Sequence, residues 1–149
     1  MSPSKPVRTA EPVAALMRRI VSIPSISFRE EHVVEALREF AGERGLRFQR
    51  VAGGNVLIEY RRGRGRRPLV LGAHMDHPGF VVEAVRGRRL TLVFRGGISA
   101  TYGAGEQVRL YGTDGTERGA ATITTVRAST APYAGRLLGA TAMLEAGSS

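Results

Sequence analysis

The sequence predicts an α/β chain in two parts: two amphipathic helices, a β-hairpin and a central strand, then a small β-barrel-like unit. Three observations lead there. Before Gly45, apolar residues recur at the i, i+3, i+4, i+7 spacing of helices. Beyond Gly45 the period falls to two. Past Pro78, short apolar runs alternate with glycine-bearing turns, the pattern of a small barrel or sandwich. Residues 1–77 are expected to form the α/β part, 78–128 the β-rich part, and 129–149 a weakly structured tail.

At 149 residues the chain is long enough for a domain with a real core, and 42% apolar with 23% charged content excludes a disordered polyelectrolyte. No apolar run is long enough to span a bilayer, and Met1 to Glu11 lacks the apolar centre of a secretory leader. A cytoplasmic chain with no membrane partner is therefore expected. The absence of cysteine excludes disulfides and thiolate metal sites, so any metal must sit on histidine and carboxylates. The net charge of +9 is nearly all arginine, since Lys5 is the only lysine; GC-rich coding accounts for that as readily as function does.

Taken in order, Thr9 caps a first helix with Pro12 in its first turn, and Val13, Leu16, Met17 and Ile20 form one buried stripe. Pro24 stops it. Ser27 and Glu30 have the spacing of a capping box for a second helix, whose apolar face is Val33, Val34, Leu37, Phe40 and Ala41. His32 falls in its polar first turn, and Gly45 is a left-handed stop. Leu46 to Val51, a turn at Gly53-Gly54-Asn55, and Val56 to Tyr60 make the hairpin. Arg61, Arg62, Arg64, Arg66 and Arg67 follow in a glycine-bearing loop that has the charge to grip phosphates. No aromatic residue is interleaved for base stacking, and a solvated loop joining two strands is the simpler reading.

Leu69-Val70-Leu71 reads as the buried central strand, and it ends in His74-Met75-Asp76-His77-Pro78. Side chains alternate along an extended chain, so His74 and Asp76 fall on one face and His77 on the other. An imidazole with a carboxylate two residues on suits metal binding, the carboxylate holding the ring's tautomer, although such a triplet also occurs as a satisfied histidine beside a turn. Further on, Phe80 to Val85 and Leu90 to Phe94 form one hairpin, and Gln107 to Tyr111 with Ala120 to Val126 another. The tail offers a weak helix over Arg136 to Ala146.

Four motifs stand in order: Ser22-Ile23-Pro24-Ser25, Glu30-Glu31, Gly54-Asn55-Val56, and Ala73-His74-Met75-Asp76 with Gly79-Phe80. Together with the β-rich stretch that follows, they resemble the opening of a clan MH zinc aminopeptidase. The likeness is to the tetrahedral, glutamyl and deblocking aminopeptidases, and runs from about Val13 to Val126. The family containing carboxypeptidase G and succinyl-diaminopimelate desuccinylase shares His-x-Asp and ranks second, because its insertion comes later.

The resemblance implies a partial zinc-peptidase-like α/β sandwich followed by an incomplete β insertion. It implies His74 as a metal ligand and Asp76 as the catalytic-site carboxylate that orients a metal-site histidine. The full-length family uses two divalent ions, zinc or cobalt, to remove N-terminal residues from a peptide substrate, and it forms homo-oligomers. Its remaining ligands lie on later strands, and no histidine follows His77 here. The chain is thus expected to be an N-terminal fragment, inactive alone and without stably bound metal. Where the family commonly has Glu after His-Met-Asp, this chain has His77, read as a rim or specificity residue. The alternatives are a fragment of a related deacylase or carboxypeptidase, and a nucleic-acid-binding module using the Arg61–Arg67 loop.

Overall fold

A computed structural model describes residues 13–65, 67–130 and 132–148. It is mixed α/β, with two helices, a two-stranded hairpin and a curled five-stranded antiparallel sheet. Helix α1 spans Val13–Val21 and α2 spans Glu31–Glu43. Strands β1 (Arg47–Arg50) and β2 (Val56–Glu59) pair antiparallel, with Phe48 opposite Ile58. The expected Thr9 cap and Pro12 lie outside the described residues.

Helix α2 ends as its glycine requires. Gly45 adopts φ 63°, its N–H donates to the Gly42 carbonyl at 3.2 Å, and the Leu46 N–H reaches back to the Ala41 carbonyl at 2.9 Å. That pair of bonds is a Schellman stop, and it drops Ala41 into a fully buried position beside Val33 and Val34. The Arg38 guanidinium lies 5.4 Å from the centre of the Phe48 ring, tying α2 to the hairpin. His32 is half-buried, with Nε2 3.3 Å from the Thr113 carbonyl oxygen in a turn of the large sheet. In that turn, the Thr116 N–H and the Arg118 guanidinium hold the Asp114 carboxyl below its ordinary value of 3.8.

Strands β3 (Gly79–Arg86), β4 (Arg89–Arg95), β5 (Gln107–Tyr111), β6 (Glu117–Ala128) and β7 (Leu137–Leu144) form the large sheet in the order β3-β4-β7-β6-β5. Its core is Leu90, Leu92, Ala121, Ile123, Ala140 and Ala142, with Phe80, Val108, Leu110, Val126 and Leu144 packed against it. Register shifts in the β3–β4, β5–β6 and β6–β7 ladders supply the bulges that bend a sheet onto its own apolar face. Large residues meet small ones across the central strand: Leu90 opposes Ala142, and Leu92 opposes Ala140. Gly139 is held to hydrogen by the Leu92 carbonyl oxygen, 2.5 Å from where a Cβ would stand.

Four sequence expectations are corrected. The tail is not weakly structured: residues 137–144 are β7, hydrogen-bonded on both sides, and no helix forms over Arg136 to Ala146. Ala, Leu and Met favour a helix locally, but pairing with β4 and β6 overrides that preference. Leu69, Val70 and Leu71 are 85%, 79% and 86% exposed and belong to no strand, because no described strand lies alongside to bury them. The stripe on α1 is only partly covered: Leu16 and Ile20 are half-buried, while Val13 and Met17 are exposed. The Ser27–Glu30 capping box does not form: Glu30 itself is the N-cap, its carboxylate accepts from the Phe28 N–H at 2.9 Å, and Ser27 is engaged elsewhere.

Because β7 is the middle of the sheet, deleting residues 137–148 is expected to abolish cooperative thermal unfolding of the β signal in far-ultraviolet circular dichroism. A truncated chain that keeps a cooperative β transition would contradict this placement.

Candidate metal-ligand site

Among the described residues from Tyr60 to Pro78 there is no regular secondary structure, so something outside the segment must set its path. That is the loop between α1 and α2. Pro24 ends the first helix's region, and Ile26 to Arg29 then close a tight turn, with the Arg29 N–H donating to the Ile26 carbonyl at 2.9 Å. Phe28, third in the turn, takes φ 70°, the sign a type II turn demands there. A left-handed phenylalanine costs on the order of 1–3 kcal/mol and persists only where neighbours enforce it.

The neighbours are residues 75–79. Ser25, the one buried polar residue among those described, donates its hydroxyl to the Met75 carbonyl at 2.9 Å. Its own carbonyl accepts the His77 N–H at 3.2 Å. Ser27 Oγ donates to Asp76 Oδ2 at 2.6 Å. Gly79, first residue of β3, packs so closely that an added Cβ would overlap Ile26 Cγ2. Two serines and an isoleucine thus grip the His-x-Asp stretch from one side.

The structure brings His74 and Asp76 together. His74 Nδ1 lies 2.9 Å from the Asp76 carbonyl oxygen and 3.2 Å from Asp76 Oδ1. Both neighbours are acceptors, so in the neutral ring Nδ1 carries the proton and Nε2 keeps a lone pair. The imidazole is 82% exposed and the Asp76 side chain 31%, so that lone pair is available from solvent. The Ser27 hydroxyl, more than any other partner, holds the Asp76 carboxyl below its ordinary value of 3.8. The charge-assisted link is therefore present through neutral and mildly acidic pH, and is lost as the pH falls through that lowered value.

His77 is half-buried, anchored through its backbone N–H rather than its ring. Arg61, Arg62, Arg64 and Arg67 stand exposed in the loop after β2, and Arg66 lies outside the described residues. Among the described residues no group of three or more histidines, aspartates and glutamates is gathered to hold a metal ion. One imidazole with its far nitrogen presented fits a single ligand position; it does not make a complete metal centre, and no reaction step is derived through one. The residues missed from sequence are Ser25 and Ser27. Ser27 has the local spacing of a helix cap, and its real partner lies 49 positions away, beyond any local pattern.

No protein-family profile matches the chain. A curated protein, the cytosol non-specific dipeptidase of Escherichia coli (strain K12), is 36% identical over 69 residues, which is 44% of this chain and 14% of the dipeptidase. The chain thus covers only a small part of the length of the relative it matches, and over that part it is similar to a peptidase. No helix among the described residues is long and apolar enough to cross a membrane.

The Ile26–Gly79 contact makes a direct stability prediction. Gly79→Ala is expected to destabilise the chain by about 1–3 kcal/mol through overpacking, and Ile26→Ala in the same chain should recover most of that. Additive losses in a denaturant-unfolding cycle would show that the two residues do not touch.

Proposed function

We propose that this chain is the N-terminal part of a metal-dependent peptidase of the aminopeptidase type, with His74 as one metal ligand and Asp76 as the carboxylate that orients it. The observation that carries this reading is the His74–Asp76 pair, with Nδ1 tied to two oxygens and Nε2 turned to solvent. The partial similarity to a dipeptidase supports peptide bonds as the substrate class. In that role a divalent ion, zinc or cobalt, would polarise the scissile carbonyl and activate water once the other ligands are supplied. This chain's own contribution is to present one imidazole in a fixed tautomer. The remaining ligands and the general base belong to a longer or assembled enzyme, acting in the cytoplasm as an oligomer. The exposed apolar residues of α1 and of Leu69 to Leu71 are consistent with a face that further structure covers.

A zinc titration followed by NMR tests this. The chain has three histidines, and the His74 ring signals are expected to move first, ahead of His32 and His77, with no hydrolysis of aminoacyl-anilides. Movement at His77 before His74 would overturn the ligand assignment. Zinc-dependent hydrolysis that His74→Ala abolishes would overturn the claim that the chain is inactive alone.

A further inference from the structure

We infer that Ser27 is a positioning residue for His74, acting through Asp76 in a three-member chain. The inference rests on the reading of His74 as a metal ligand, and adds the group that makes the imidazole's direction reproducible. The two Asp76 oxygens are divided between partners: Oδ2 accepts from Ser27 Oγ at 2.6 Å, and Oδ1 faces His74 Nδ1 at 3.2 Å. The Asp76 carbonyl oxygen, 2.9 Å from the same nitrogen, gives the ring a single point of attachment about which it can still swing. The carboxylate oxygen is the second point, and it is useful only while its own side-chain torsions are held.

Ser27 holds them. Its bond to Oδ2 has the length of a hydroxyl donating to a carboxylate, the kind that carries about twice the strength of a neutral one. Ser27 is itself fixed, because the turn from Ile26 to Arg29 is closed by a backbone bond and packs through Ile26 on Gly79. A flexible carboxylate in a segment without secondary structure is thereby anchored to a rigid turn 49 positions earlier. The hydroxyl donates to Oδ2, the carboxylate accepts the Nδ1 proton through Oδ1, and Nε2 is left as the metal-facing nitrogen. Ser25 has no part in this chain; it binds only backbone groups of residues 75 and 77.

The test is the tautomer of His74, read by long-range proton–nitrogen NMR on the labelled 149-residue chain. The native chain and Ser27→Thr should show the Nδ1–H form. Ser27→Ala should shift the ring toward a mixture with the Nε2–H form while the amide signals of the large sheet stay native. Asp76→Ala removes the oxygen that faces Nδ1 and should shift the ring toward the same mixture, a second readout if Ser27→Ala disturbs the turn. An unchanged Nδ1–H form in Ser27→Ala with a native sheet would overturn the inference, because Asp76 would then hold the ring without Ser27. An unchanged form in Asp76→Ala would overturn it as well, because the backbone carbonyl alone would suffice. Zinc added to the same samples separates the two claims: a Ser27-dependent tautomer on a ring that ignores zinc leaves the positioning intact and removes the ligand role.

Discussion

The structure depends on the grip of one loop on one segment. The described residues between β2 and β3 form no element of their own, and among them Met75, Asp76 and His77 are hydrogen-bonded to Ser25 and Ser27. A neutral bond such as those made by Ser25 is worth about 0.5–1.5 kcal/mol net, so the grip is a local device and not the source of global stability. It decides position. It sets where β3 begins, since Ile26 sits on Gly79, and it sets where His74 points, since Ser27 holds Asp76. The left-handed Phe28 in the middle of the loop is the conformational cost of bringing both serines to bear on the same short stretch.

The two parts of the chain stand in different conditions. The large sheet carries its own core: a central strand paired on both sides, leucine and isoleucine against alanine, and bulges that curl it over that core. The helical part is open. Val33, Val34 and Ala41 are buried, while Val13 and Met17 of α1 and the run from Leu69 to Leu71 face solvent. A strand of that composition is buried when neighbours pair with both edges and helices cover both faces, as in parallel α/β layers. The sequence pattern of a buried strand and its exposure here agree with the proposal that further structure completes this layer.

Much of this was legible in advance, for reasons that differ by residue. The second helix, its glycine stop, the first hairpin and the strands flanking Gly87 and Gly115 follow from local rules of period and turn chemistry, and they form where those rules put them. What local rules miss is anything decided by a distant partner. Leu137 to Leu144 has helix-forming composition and becomes the central strand because β4 and β6 claim its backbone. Ser27 has the spacing of a cap and binds a carboxylate instead. At the candidate site, the pairing of His74 with Asp76 could be anticipated from alternation along an extended chain. The residues that hold the pair in place could not, since their contacts span about fifty positions.

The central claim is that the loop carrying Ser25 and Ser27 fixes the His74 to His77 segment. Amide hydrogen exchange at His77 tests it most directly, because that N–H has the Ser25 carbonyl as its partner and lies in a segment with no secondary structure to protect it otherwise. Exchange slowed to a rate comparable with the amides at the ends of α2 is the predicted result. Exchange at the rate of an unstructured peptide would mean that the grip is not maintained in solution, and would contradict the account.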